Sequence, residues 1–390
     1  MDFTFDSNTL EFAAAARTFC EERITPQSPK WDRGTPIDKA VYRDMGALGL
    51  LSLRMPAEFG GLGSSFVTCG RMAYEVGRAD VGVALMVVNA VMWGELSHLM
   101  HPSIRDTWTP RVATGSPFVF TLTEPGAGSD AGNIRTTAKR QGDDYVINGE
   151  KATVTHCGTG DIAVVFARTG GSGPKGISAI MVPWDSPGIE KHVYHSAGER
   201  VTQRGQVFYT DLRVPVTNLL GAEGGGFREA MQFFDYNRAF LALACIGAAE
   251  KSLEEIVEHV KTRHTFGSPL AKNQGVTFQV AEHMTRLECA KLLAYKVLSL
   301  KDTGEPHSKE AAMVKAFGIR EAFQALHTCV ILAGWPGYSS DLPHDQRMRD
   351  VMGLEIGDGT PEIMKMIVAR EVFGRQSLPY SRLPESDQAA

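Results

Sequence analysis

Three short stretches of this 390-residue chain carry residue types that could do chemistry. The densest is Phe120-Thr-Leu-Thr-Glu-Pro-Gly-Ala-Gly-Ser-Asp130, in which Gly126, Gly128 and Ala131 match a GxGxxG/A dinucleotide fingerprint by spacing. That fingerprint needs a helix directly after its glycines, so that the helix N-terminus can hold a pyrophosphate. Here the residues that follow predict a hairpin. Two readings stay open: a Pro-Gly turn closing a strand, or a Gly-rich loop whose N–H groups and hydroxyls, on Thr123 and Ser129, face a flavin and a phosphorylated ligand. The second stretch runs from Arg263 to Gln274. Taken alone, Arg263 reads as a cation favoured at a helix C-terminus, and Phe266 reads as core. The third is Asp358-Gly359-Thr360 with Pro361 behind it, where Thr360 reads as an N-cap. His156 beside Cys157 forms neither a triad nor a metal pair. Cys20, Cys69, Cys157, Cys245, Cys289 and Cys329 show no CxxC spacing, so no metal is expected.

The elements that position these stretches follow an α, β, α order. Residues 1–116 read as helical, with the Ala-rich run Phe12 to Arg23, a second helix from Lys39 to Leu51, and Gly60, Gly61 and Gly63 marking a loop. Residues 117–224 read as strands: Phe118 to Leu122, a hairpin of Arg135–Arg140 and Tyr145–Asn148, then Ile162–Ala167, Ile177–Val182 and Val207–Val214. Connections too short for βαβ units predict an antiparallel sheet. Residues 225–376 return to helical periodicity. Phe278, Ala281, Met284, Leu287, Ala290, Ala294 and Val297 predict one buried stripe, with further helices over Ser308–Ala333 and Thr360–Phe373. Residues 377–390 read as a loose polar tail. The fold class is therefore α+β.

Composition narrows the class further. Apolar residues make up 43% and charged residues 22%, the mix of an ordinary globular protein. A net charge of −5 argues against nucleic acid as the main partner. The most apolar run, Val81 to Trp93, is short for a bilayer span. Scattered cysteines and an acidic start predict a cytoplasmic protein with no membrane partner.

Five separated segments, in the right order, resemble the acyl-CoA dehydrogenase family. They are Leu122-Thr-Glu-Pro-Gly-Ala-Gly-Ser-Asp130, and Ile147-Asn-Gly-Glu-Lys151 with Thr153-Val-Thr155. Next come Phe234-Asp-Tyr-Asn-Arg238 with Arg263-His-Thr-Phe-Gly267 and Gln274, then Gly334-Trp-Pro-Gly-Tyr338. Last is Met348-Arg-Asp350 with Asp358-Gly-Thr360, Glu362-Ile363 and Ala369-Arg370. The resemblance implies an N-terminal helical domain, a middle β-barrel or sheet domain and a C-terminal four-helix bundle. It implies FAD as cofactor and an acyl-CoA as substrate. It also implies electron-transferring flavoprotein as acceptor and a homo-oligomer, a tetramer in the family's pattern. Phe120, Leu122, Thr123, Thr153 and Thr155 would lie along the flavin. Ser129, Asp235, Arg238 and Gly359 would hold the CoA thioester, with Ser129 also near the cofactor. Arg263, Phe266, Gln274 and Gly334 would serve FAD across a subunit interface, and Thr360 and Glu362 would touch it from a helix start.

One departure bears on the reaction. The family usually places a glutamate base where this chain has Asp358, and some members place it where this chain has Asn237. Asp358 thus becomes the expected base for the α-proton, with hydride passing to flavin N5. Aspartate is one methylene shorter, about 1.5 Å of reach. Family members acting on alicyclic thioesters such as cyclohexanecarboxyl-CoA resemble this chain in using aspartate, and small Thr153 leaves room for a ring. Nitroalkane oxidases also resemble it in having an aspartate base. A third reading is an FAD-binding subunit without turnover. Val91 and Trp93 are candidate pocket residues for which ordinary packing is the preferred reading.

Overall fold

The computed structural model describes residues 4–377. All but the first residue of the expected tail lies outside them. Six helices build the first domain: α1 (Ser7–Phe19), α2 (Ser28–Asp32), α3 (Lys39–Ala47), α4 (Phe66–Ala79), α5 (Val81–Leu96) and α6 (Pro102–Ala113). Their starts are set by side-chain caps. Asp6, Asp38, Ser65 and Asp80 each accept a backbone N–H from the first turn, filling donors that a helix start leaves unpaired. Helix α5 outruns the apolar stretch read from sequence. Val81–Leu99 is long and apolar enough to cross a membrane by composition, yet 83% of that window is buried inside the protein, as in a core helix. Trp93 is fully buried there, with its indole N–H on Thr109 Oγ1 at 3.1 Å and its ring edge-on to Phe118. Packing accounts for both Val91 and Trp93.

Eight strands follow: β1 (Phe118–Thr121), β2 (Thr137–Gln141), β3 (Asp144–Val154), β4 (Ile162–Arg168), β5 (Ile177–Pro183), β6 (Ile189–Val193), β7 (Gly205–Pro215) and β8 (Leu219–Leu220). The sheet order is β6-β7-β3-β2-β4-β5-β8, with β1 also on β4. The fully antiparallel sheet expected from sequence is corrected to a mixed one. β1 pairs parallel to β4, Phe118 opposite Ile162 through Thr121 opposite Val165. The β2–β3 hairpin itself is the crossover, so no helix is needed between the two parallel strands. The continuous apolar run of β4 is explained by burial on both faces. Ile162, Val164 and Phe166 join the helical core, while Ala163, Val165 and Ala167 join a separate core within the sheet domain.

The last domain contains α7 (Gly226–Thr262), a small hairpin of β9 (His264–Thr265) and β10 (Ser268–Pro269), then α8 (Gln274–Asp302), α9 (Ser308–Ala333), α10 (Trp335–Tyr338), α11 (His344–Ile356) and α12 (Pro361–Phe373). Helices α4 and α7 approach closely because each offers a glycine. A Cβ on Gly77 would lie 2.4 Å from the Ala244 carbonyl, and one on Gly247 2.4 Å from the Tyr74 carbonyl. The stripe expected along α8 divides in two. Leu287, Ala290, Ala294 and Val297 are buried, but Phe278, Ala281 and Met284 are exposed in the single chain.

Candidate active site

The strand side of the site is braced by a buried ion pair. Thr123, just past β1, accepts the Ala152 N–H at 2.9 Å, which lays the Gly-rich loop beside the end of β3. Lys151 is fully buried, and its Nζ donates to the Leu122 carbonyl at 2.8 Å and to Glu124 Oε1 at 2.9 Å. The Glu124 carboxylate also accepts the backbone N–H groups of Arg135 and Thr136, at 2.5 and 2.9 Å. Burial lowers the Lys151 ammonium to about 8. Burial alone would raise Glu124, but Lys151 and the N–H donors hold its carboxyl below the usual range. The brace frees the groups in front of it. Among the described residues, the hydroxyls of Thr123, Ser129 and Thr155 make no hydrogen bond, and all three residues are at least partly exposed. A Cβ at Gly126 or Gly128 would meet nothing within 4 Å. Free donors around an open Gly-rich loop fit a flavin and its phosphates. Phe120 does not stand free: its ring packs on Phe166, Phe233 and Phe234, joining β1 to α7.

On the helical side, α7, α9 and the α11–α12 turn meet at Asp358. This residue has φ 56, a left-handed conformation rare outside glycine, and Gly359 follows at φ 102. The turn is tied down by cations. Lys315 of α9, 1% exposed, donates to the Gly359 carbonyl at 2.9 Å and the Glu355 carbonyl at 3.1 Å. Arg238 Nε reaches the Asp358 carbonyl at 3.4 Å, and its Nη1 pairs with Asp235 Oδ1 at 3.1 Å. Ser308 donates to the other Asp235 oxygen at 2.5 Å. Asn237 Nδ2 donates to Asp358 Oδ2 through a short hydrogen bond. The Asp358 backbone N–H has no acceptor among the described residues. Burial pushes the Asp358 carboxyl above the ordinary aspartate range, opposed by Lys315, Arg238 and the Asn237 donor. Burial also lowers Lys315 to about 8.

Other sequence-predicted residues make no hydrogen bond to Asp358 among the described residues. Thr360 caps α12, its Oγ1 accepting the Ile363 N–H at 3.4 Å. Glu362 is exposed and sits 3.8 Å from Lys365. Gly334 ends α9 at φ 70. Arg263, Phe266 and Gln274 are exposed beyond the end of α7. Twenty-five residues separate Arg238 from Arg263, roughly 37 Å along a helix. Phe266, read alone as core, is fully exposed at φ 50.

Sequence reasoning gave no role to Glu199, Arg204 or Lys315. Glu199 is 4% exposed, and its Oε2 accepts Arg204 Nη2 at 2.7 Å. Arg204 Nη1 donates to the Thr153 carbonyl at 3.1 Å. No spacing rule announces such a pair, because only the fold brings it beside Asp358. His156 is buried with Nδ1 on Thr159 Oγ1 at 3.1 Å, and burial lowers its imidazole to about 3, which suits the structural role expected of it.

Two helical domains thus flank a sheet domain, with a partly buried, tethered carboxylate at Asp358 and free hydroxyls at Thr123, Ser129 and Thr155. The comparisons agree. The acyl-CoA dehydrogenase N-terminal, middle and C-terminal domains match residues 7–116, 119–212 and 224–373. The chain is 34% identical over 358 residues to the mitochondrial short-chain specific acyl-CoA dehydrogenase of Rattus norvegicus, covering 90% of this chain and 87% of that protein. It is 33% identical over 361 residues to cyclohexane-1-carbonyl-CoA dehydrogenase of Geobacter metallireducens, covering 92% and 95%. The structure of butyryl-CoA dehydrogenase from Megasphaera elsdenii superposes with a TM-score of 0.91 at 29% identity, covering 96% and 100%. The chain belongs to the acyl-CoA dehydrogenase family, FAD-dependent oxidoreductases acting on acyl-CoA thioesters.

Proposed function

We propose that this protein introduces a double bond into an alicyclic acyl-CoA, cyclohexanecarboxyl-CoA or a close analogue, with Asp358 as the base. The observation that carries this reading is the Asp358 turn. A partly buried carboxylate is oriented by Asn237, while the free backbone N–H of the same residue offers a donor to a thioester carbonyl. The α C–H bond breaks, its proton passes to the Asp358 carboxylate, and the negative charge gathers on the thioester oxygen. When bound, FAD supplies the acceptor for the hydride leaving the β-carbon. Arg238 and Asp235, locked to each other, would position the CoA arm with Ser129 and Gly359. Misplacing a catalytic group by ~1 Å costs on the order of 100-fold. A shorter base therefore calls for a substrate whose α-carbon sits closer, and exposed Thr153 leaves space for a compact ring.

The assembly we propose is a homotetramer that passes its electrons to an electron-transferring flavoprotein in the cytoplasm. Arg263, Phe266 and Gln274 cannot reach their own chain's Asp358 cluster across ~37 Å of helix. They would serve the FAD of a neighbouring copy. Exposed Phe278, Met284, Ile331, Trp335 and Tyr338 supply the apolar surface for that contact. All six cysteines are free, as suits a reducing compartment. An anaerobic screen of acyl-CoA thioesters tests the substrate reading. Ring thioesters should bleach the flavin band faster than straight chains of equal carbon number. Preference for a straight chain would overturn the alicyclic assignment.

A further inference from the structure

A cleft of about 330 Å³ opens between residues 33–36 of the α2–α3 link and residues 194–204 of the β6–β7 connection. That volume lies within the range of small-molecule sites. None of the residues assigned above to the thioester or to FAD lines it.

The charge of the cleft is one-sided. Arg33, His195, Arg200 and Arg204 line it and no aspartate or glutamate does, in a chain whose net charge is −5. Arg200 is held by backbone rather than by an acid. Its Nε donates to the Ser196 carbonyl at 2.8 Å, and its Nη1 to the Asp32 carbonyl at 2.7 Å. The acids nearby are already engaged. The two Asp32 oxygens hold Arg349, at 2.9 and 2.7 Å, and Glu199 Oε2 holds Arg204 at 2.7 Å. Among the described residues, the Arg33 and Arg200 side chains have no carboxylate partner, and the Tyr194 hydroxyl and the His195 ring make no hydrogen bond. Cations of one sign gathered around a concavity raise the local potential for an anion. The cleft also has an apolar wall, since Val193 and Tyr194 line it and are exposed.

We propose that this cleft binds a phosphorylated organic molecule, with its phosphate on Arg33 and Arg200 and its organic part against Val193 and Tyr194. A guanidinium pairs with phosphate through two parallel N–H donors. A bare inorganic anion would leave the apolar wall uncovered, and a cationic ligand would be repelled by the arginines. Asp358 takes no part in this site, which therefore goes beyond the proposed reaction and stands independently of it. The cleft adjoins the sheet through Arg204, whose Nη1 donates to the Thr153 carbonyl of β3 at 3.1 Å. The chemistry recognised is a phosphate monoester. Two sources carry one: the 3′-phosphate of the CoA substrate, and a free phosphorylated metabolite.

Titration calorimetry on the FAD-loaded enzyme, at fixed ionic strength, tests this with phenyl phosphate, inorganic phosphate, CoA and dephospho-CoA as probes. Phenyl phosphate should saturate one site per chain and bind at least threefold tighter than inorganic phosphate. Arg33→Ala and Arg200→Met should each weaken it at least fivefold, and Tyr194→Ala should remove its advantage over inorganic phosphate. Arg33 is exposed and its side chain makes no hydrogen bond among the described residues, so Arg33→Ala keeps the fold even where Arg200→Met loosens the α2–α3 link. CoA tells the sources apart. If Arg33→Ala weakens CoA but not dephospho-CoA, the ligand is the substrate's own 3′-phosphate. If both keep their affinity while phenyl phosphate is lost, the ligand is a free metabolite. Absence of saturable phenyl phosphate binding, or binding that survives both arginine substitutions, would overturn the site. Equal affinity for phenyl and inorganic phosphate would reduce it to an adventitious ion only. Neither result touches flavin bleaching by a thioester, so the dehydrogenase reading would stand.

Discussion

Asp358 works, on this account, only as its neighbours allow. The Asn237 donor stabilises the carboxylate form, whereas burial favours the protonated form. Because the net shift is upward, the acid limb of kcat/KM against pH should lie above the ordinary aspartate range, with activity lost as pH falls through it. Asn237→Ala removes a donor to the charged form, so the proton is held more tightly and the limb should move to higher pH. A limb that stays put would show that Asn237 does not face the base. Lys315→Met keeps the side-chain length but abandons the Gly359 and Glu355 carbonyls. It should cost ~1–3 kcal/mol of stability by thermal denaturation. A turn that then drifts by ~1 Å would slow proton abstraction by on the order of 100-fold. Asp358 itself was legible as the only carboxylate at either place where the family keeps its base. Its tether was not, because Lys315 sits 43 residues away in a helix of ordinary composition.

At the scale of elements, the brace between β1 and β3 decides whether the cofactor loop is ready to bind. Lys151→Met strands the Glu124 carboxylate, and breaking one side of a buried pair typically costs ~3–5 kcal/mol. The purified variant should melt earlier and carry less FAD per chain. Adding Glu124→Leu should restore part of the melting temperature but not the loop's order or its flavin content. Full flavin content in Lys151→Met would mean that the loop holds itself. Helix α9 was readable at both ends, since Ser308 and Gly334 bound a run with no proline and a single glycine, Gly318. The parallel β1–β4 pair was not. Loop lengths between successive strands say how neighbours in sequence can connect, and β1 pairs with a strand three places further on. The α8 stripe failed differently. Spacing shows which residues share a face, but not whether that face is covered by its own chain or by another copy.

For the whole molecule, Phe278, Met284, Ile331, Trp335 and Tyr338 leave apolar surface exposed in the single chain, which the proposed assembly would cover. Arg263→Ala should weaken FAD retention although the residue lies roughly 37 Å along the helix from Arg238, and light scattering should show an oligomer of four chains for the wild type. A monomer that retains FAD at full strength would contradict the shared site. The central claim, that Asp358 takes the α-proton, has the most direct test in the intact FAD-loaded enzyme. Wild type and Asp358→Asn are mixed anaerobically with excess cyclohexanecarboxyl-CoA while the flavin absorbance is followed. The wild-type flavin should bleach, and the variant should stay yellow with FAD still bound, its rate lower by at least three orders of magnitude. Bleaching of the variant at the wild-type rate would place the base elsewhere.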